Sequence, residues 1–196
     1  MTDRLKKQID FIIEIDKMKS VFRQNIIIDR TRNENDAEHS WHIAVIAMIL
    51  YEYAYRPDID LLRVLKMLLI HDIVEVYAGD TFVYDAQANL DKGKREQDAA
   101  DKIFGMLPED QEKEYRALWE EFDAMETPES IFAAATDRFE PFILNCNTDG
   151  HTWRLADITS DKLYKRLYET KVALPALWDT ICELIHENIE KGYIKP

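Results

Sequence analysis

The segment LLIHDIVEVYAGD, Leu68 to Asp80, sets His71, Asp72 and Glu75 directly behind an apolar run whose natural destination is a core. A carboxylate buried without a partner either costs several kcal/mol or shifts its pKa until it neutralises, so such a placement wants a compensating cation. On a helix His71 and Glu75 stand four apart and Asp72 and Glu75 three apart, which crowds them on one flank. His71 and Asp72 point about 100° from one another and can still converge on one ion beside the helix. The competing reading puts Asp72 and Glu75 in solvent near a helix end and makes His71 a hydrogen-bonded core histidine. Two distant positions bear on the choice. His39 falls in the first turn of its helix, and Asp137 interrupts the otherwise apolar stretch AAATDRFEPF. Pro141, four residues beyond Asp137, has no N–H to offer the Asp137 carbonyl, so a kinked or loosened helix is expected where that carboxylate projects. An ordinary pairing with Arg138 or a lysine is the alternative for Asp137.

Helices must position these groups. The 196 residues hold only five Gly and six Pro and show no sustained period-two alternation, which predicts an all-α bundle. An amphipathic helix is expected over roughly Asp3 to Phe22, with Leu5, Ile9, Ile12, Ile13, Ile15 and Met18 as its apolar stripe. Gln24 to Asn35 reads as a loop with an extended stretch at Ile26 to Ile28. Asp36 is the expected N-cap of a helix over Ala37 to Tyr55, and Asp60 that of a third helix running through Leu61 to Val76, ended by Gly79. Further helices are expected over Asp91 to Met106 and Glu109 to Asp123. Thr127-Pro128-Glu129 starts another through Phe139, and a last one runs from Lys171 or Leu174 to Glu190, ended by Gly192. The length predicts one domain, residues 1–196, with the C-terminal helices (about 150–196) packing on the metal-binding core.

Composition narrows the class of function. A formal net charge of −13 repels nucleic acid and anionic membranes at range, so neither is an expected partner. The longest apolar run, Ile43 to Leu50, falls far short of a membrane span, and no secretory h-region opens the chain. Cys146 and Cys182 lie 36 positions apart without a metal-site or disulfide pattern and read as reduced thiols, which with the rest predicts a cytoplasmic protein. His42 reads as a packed core histidine, and His151 and His186 carry no spacing signal.

The set H…HD…D formed by His39, His71, Asp72 and Asp137 resembles the metal-binding signature of the HD-domain phosphohydrolase superfamily, a helical fold. Glu38-His39-Ser40, the HDxxExxxGD arrangement from His71 to Asp80 and the MLPED segment before an acidic helix are similar to the branch containing 5′-deoxynucleotidases. The resemblance runs from about residue 5 to the terminus. It implies one divalent ion held by His39, His71, Asp72 and Asp137, with Glu75 and Asp80 as active-site acids. Such a mixed nitrogen and oxygen set suits Mn, Co, Fe, Ni or Zn. The ion polarises a phosphoryl oxygen and activates water, Glu75 takes the water's proton, and Asp80 is an acid or a sugar contact. The relatives use an arginine upstream of the first histidine for phosphate; Arg23 is the best match by position, with Arg30 and Arg32 as alternatives. Gln24 stands where those relatives have tryptophan, a departure bearing on selectivity for the 2′-deoxy sugar. Lys92, Lys94 and Arg95 read as a solvated basic face. No histidine lies between His71 and Asp137, which favours a single metal over a di-iron site.

The expected activity is hydrolysis of (deoxy)nucleoside 5′-monophosphates. Alternatives are a pyrophosphate substrate of the guanosine tetraphosphate type, or a non-catalytic module stabilised by its metal. The resemblance, together with apolar Leu174, Leu177 and Trp178, also implies a homodimer.

Overall fold

The computed structural model describes all 196 residues. Eleven α-helices and one short hairpin make up the chain. Helix α1 (Asp3–Glu14) starts where Thr2 Oγ1 accepts from the Leu5 amide at 3.3 Å, then tightens into a 3₁₀ turn at Ile15–Ser20. Strands β1 (Phe22–Ile26) and β2 (Asn33–Asn35) pair antiparallel, Phe22 opposite Asn35 and Ile26 opposite Asn33. Helix α2 (Asp36–Leu50) follows at once, fixed by a reciprocal cap in which Asn35 accepts from the Glu38 amide and Glu38 accepts from the Asn35 amide. Next come α3 (Leu61–Ile70), capped by Asp60, and the single turn α4 (Glu75–Ala78). Gly79, at φ 76°, ends α4 in a conformation that an L side chain resists. Helices α5 (Lys92–Phe104), α6 (Glu109–Ala124) and α7 (Pro128–Asn147) complete the larger layer. The C-terminal part holds α8 (His151–Leu155), α9 (Ser160–Arg166), α10 (Tyr168–Ala173) and α11 (Trp178–Glu190).

Helix α7 organises the interior, because both halves of it are buried. Phe132, Ala133 and Ala135 join a cluster of 23 buried residues drawn from α1 through α7 and from Ala173 and Leu174. Further along the same helix, Phe142 joins a second cluster of eight with Trp153, Leu163, Leu167, Ile181 and Ile185. Alanines at 133 to 135 let α2, α3 and α10 approach α7 closely. Asp137 lies between the two clusters, where a polar cavity replaces apolar packing.

Several boundaries differ from those expected. The first helix does not reach Phe22: at three residues per turn the 3₁₀ segment turns Met18 back into the core, while Ile12 and Ile13 stay exposed. The expected loop is a hairpin whose extended residues are 22–26 rather than 26–28, with Arg30 at φ 64° in its turn. Asn35, not Asp36, caps α2, and Asp36 is buried inside it. The α2 helix stops at Leu50 and passes into a 3₁₀ turn, Tyr51–Tyr53. The helix expected over Leu61 to Val76 is split in two by a tighter turn at 71–74. Helix α7 continues past Phe139 and Pro141 to Asn147. Pro175 delays the start of the last helix to Trp178, and the C-terminal helices expected over about 150–196 include three short ones, α8 to α10, without predicted bounds. Leu174 is fully buried, and Leu177 and Trp178, half-buried, pack against the clusters.

Candidate metal and active site

Four side chains from three helices and one turn converge next to α7. His39, in the first turn of α2, is completely buried; its Nδ1 lies 3.3 Å from Glu140 Oε2, and its Nε2 lies 3.0 Å from Asp137 Oδ1 and 3.9 Å from Asp72 Oδ2. His71 caps α3 and donates from Nδ1 to the Leu68 carbonyl at 2.9 Å. A carbonyl only accepts, so the Nδ1 proton is fixed there and Nε2 points inward, 3.1 Å from Asp72 Oδ1 and 3.6 Å from Asp137 Oδ1. The Glu140 carboxylate imposes the same orientation on His39. Buried His71 Nε2 makes no hydrogen bond. The ligand atoms of His39, His71 and Asp137 lie within 4.8 Å of one another. Two inward imidazole nitrogens facing two carboxylates, each imidazole tied down through its other nitrogen, fit a divalent cation of the Mn to Zn series.

The turn at 71–74 explains how adjacent residues share one site. Its amides bond three residues back: Ile73 to Ile70 at 3.1 Å, Glu75 to Asp72 at 2.9 Å and Val76 to Ile73 at 3.3 Å. In that winding residues i and i+3 eclipse, which stacks Glu75 on Asp72. With Asp36 they form a second group of carboxylate oxygens within 4.8 Å. Arg23, projecting from β1, answers this density: Nη1 donates to Asp72 at 3.0 Å and lies 3.8 Å from Asp36, and Nε lies 3.6 Å from Glu34.

Protonation equilibria follow from this crowding. Burial, then Asp72 and Asp36, pushes Glu75 well above the ordinary carboxylate range, and burial raises Asp80 despite Arg23. Burial lifts Asp36 to about 7 and Glu34 to about 8. Asp72 and Asp137 go the other way: burial opposes their charge, but the two histidines outweigh it and hold both below the usual range. For His39, burial and Arg23 oppose a proton, yet Asp137 and Glu140 hold its pKa up at about 10; Asp72 and Asp137 bring His71 to about 9. The site favours net positive charge at its centre.

All four expected ligands therefore meet, and Glu75 and Asp80 line the cavity beside them, about 220 Å³ in volume. Of the three arginines only Arg23 lines it; Arg30 pairs with Asp149 and Arg32 with Glu38 on the surface. Gln24 lines the cavity next to Arg23. His42 is half-buried and donates from Nδ1 to Glu140 at 2.9 Å. Arg95 is no idle surface charge: it donates to the Ala78 carbonyl at 2.7 Å and to Thr81 Oγ1 and the Ala88 carbonyl at 3.0 Å each, tying both ends of the segment 79–90 that walls the cavity. Sequence reasoning missed Glu140, Glu34 and Asp36. Glu140 had a signal, one turn beyond Asp137 on the same helix; Glu34 and Asp36 had none, because their burial depends on the hairpin.

Residues 15–178 match the sequence profile of the HD domain, so the chain belongs to the HD-domain family. Over nearly its full length it is similar to a crystal structure from Magnetospirillum magnetotacticum MS-1 described as a predicted metal-dependent phosphohydrolase: TM-score 0.93, 46% identity, 98% of this chain and 96% of that one. A conserved hypothetical protein from Pyrococcus furiosus shares the fold, with TM-score 0.60 and 24% identity. Among named relatives, human 5′-deoxynucleotidase HDDC2 is 32% identical over 109 residues, 56% of this chain and 52% of that protein. The 5′-deoxynucleotidase ECA3034 of Pectobacterium atrosepticum is 27% identical over 135 residues, 65% and 67% of the respective chains. The chain thus spans about half the length of the human and mouse relatives it matches. No helix is long and apolar enough to cross a membrane.

Proposed function

We propose that this chain is a divalent-metal-dependent phosphohydrolase that cleaves nucleoside 5′-monophosphates to nucleoside and phosphate. One observation carries the reading: the inward nitrogens of His39 and His71 meet Asp137 and lie 3.9 and 3.1 Å from Asp72, beside a cavity that also presents buried Glu75 with its Oε2 unpartnered. A site kept only for stability needs its ligands and has no use for Glu75 and Asp80. The names of the relatives, 5′-deoxynucleotidase and metal-dependent phosphohydrolase, support the same reaction class.

His39, His71, Asp72 and Asp137 hold the ion in this proposal. When bound, it supplies Lewis-acid polarisation of phosphate and acidifies water, which matters for one of the slowest uncatalysed hydrolyses. Glu75, with its pKa raised by burial, takes the proton from the attacking water as the new P–O bond forms. The P–O5′ bond breaks, and Asp80, which lines the same cavity, supplies the proton that the leaving oxygen takes up. Arg23 holds Asp72 in place and presents its charge to the phosphate. A pyrophosphate substrate is less well served, since most cations lining the cavity are already paired. Gln24 lines the cavity beside Arg23, and with this residue in place ribose and deoxyribose substrates are both within the proposal. The chain works as a cytoplasmic homodimer in this reading, which light scattering on the purified protein tests. Phosphate release from a panel of nucleoside monophosphates, diphosphates and phosphodiesters, assayed with added Mn, Co or Zn, tests the reaction. Release that survives Asp72→Ala would sink the metal-hydrolase assignment.

A further inference from the structure

Four cationic side chains line the cavity: Arg23, Lys92, Arg138 and Arg166. A phosphate dianion entering among carboxylates needs a cation whose charge is not already matched by a partner. Three of the four are engaged. Arg23 faces Asp72, Glu34 and Asp36 at 3.0, 3.6 and 3.8 Å. Arg138 is paired with Glu169, and its Nη2 lies 3.0 Å from Met125 Sδ. Lys92 Nζ lies 3.4 Å from Glu96.

Arg166 differs. It is the last residue of α9, and its one carboxylate neighbour is Asp137, whose Oδ2 forms only a long ion pair with Nη2 at 3.8 Å, without a hydrogen bond. The two oxygens of Asp137 are thereby divided between roles. Oδ1 turns to His39 and His71 at 3.0 and 3.6 Å, and Oδ2 turns to the guanidinium. The backbone under Arg166 is anchored, since Leu163 and Leu167 on either side are buried in the second core cluster. Its own side chain keeps 34% of its surface exposed and so retains freedom to reorient onto a ligand. Arg23 and Arg166 approach the ligand carboxylates from different elements, β1 and α9, against Asp72 and Asp137 respectively.

We infer that Arg166 is a phosphate-binding residue of this site, docking phosphoryl oxygens through its planar fork opposite Arg23, whose charge is shared among three carboxylates. The inference rests on the phosphohydrolase reading and adds a residue from the C-terminal helices to its binding machinery. That part of the chain then supplies half of the phosphate grip and not only packing.

The test uses the full chain loaded with Mn²⁺ and inorganic phosphate as the probe, with binding followed by ³¹P line broadening, which needs no turnover. Arg166→Gln is expected to weaken phosphate binding about tenfold or more at unchanged Mn²⁺ content, and to raise KM for a nucleoside monophosphate more than it lowers kcat. Arg166→Lys, which keeps the charge and loses the fork, recovers part of the affinity. Lys165→Gln removes the same charge from the exposed neighbouring position and leaves binding within twofold, separating a local contact from a general field. Phosphate affinity in Arg166→Gln within twofold of wild type overturns the inference, as does a wild-type protein that binds no phosphate. A wild type that binds phosphate and hydrolyses no nucleoside monophosphate sinks the substrate assignment alone and leaves the Arg166 comparison standing. Matching thermal transitions for both Arg166 variants establish that the comparison is between folded proteins.

Discussion

Replacing Glu140 by Gln changes one buried atom pair and no volume, yet it should loosen the metal centre. Glu140 is 1% exposed and accepts from His39 Nδ1 at 3.3 Å through Oε2 and from His42 Nδ1 at 2.9 Å through Oε1. A glutamine has a single acceptor oxygen, so one imidazole must then face an NH₂ donor. If that imidazole is His39, its Nδ1 must accept and its proton moves to Nε2, the atom that points at Asp137 and the proposed ion. Loss of one buried hydrogen bond to a charged group is worth about 1.5–3 kcal/mol, and removal of a partner that orients a ligating histidine typically costs about 10–100-fold in metal affinity. The two figures agree, since every 1.4 kcal/mol or so is tenfold. Competition against a chromogenic chelator with Zn²⁺ or Mn²⁺ measures the shift directly. His42→Ala removes only the half-buried neighbour and is expected to change affinity less than about threefold. An affinity for Glu140→Gln within threefold of wild type, in protein with an unchanged thermal transition, refutes the claim that Glu140 sets the orientation of His39.

Other outcomes follow from the same geometry. Glu75→Gln and Asp80→Asn should each lower kcat by about 10²–10⁴-fold while Zn²⁺ or Mn²⁺ stoichiometry stays at the wild-type value, since neither belongs to the four-ligand set; loss of the metal with either variant contradicts the division of roles. Arg95→Ala should speed proteolytic cleavage within 79–90 about tenfold, corresponding to loss of about one charged hydrogen bond's worth of local stability, with limited proteolysis and mass spectrometry as the readout. Phe132→Ala, at a fully buried position of α7 in the larger cluster, should cost about 3–5 kcal/mol in urea unfolding. Burial pushes the Cys146 thiol up to about 12, so in the folded protein iodoacetamide at pH 8 should leave it unmodified on a timescale that labels it fully in urea.

How far the residues alone reached depends on whether their signal was local. Helix starts with their own caps, such as Asp60 and Thr127, and apolar faces with helical spacing were legible, because capping and periodicity act over a few residues. The candidate ligands also stood out: a carboxylate directly behind LLIH or directly after AAAT is costly enough to need an explanation on the spot. The break at 71–74 was not, since it is imposed by what His71, Asp72 and Glu75 must face, and a run of good helix formers hides it. The hairpin at 22–35 was lost for a similar reason, as two short polar strands carry no alternation and are held by each other and by α2.

The sequence by itself determined an all-helical chain, a formal net charge of −13, and the identity of His39, His71, Asp72, Asp137, Glu75 and Asp80 as the residues to watch. Tertiary structure alone decided which arginines face the cavity, that Glu140 orients His39, that Arg95 ties down the cavity wall, and that Leu174 belongs to the interior while Trp178 packs half-buried against it. The physical reason is range. Burial cost and capping are written into neighbouring residues, whereas an ion pair or a hydrogen bond across 98 to 101 positions, such as those His39 makes with Asp137 and Glu140, exists only once the helices have packed.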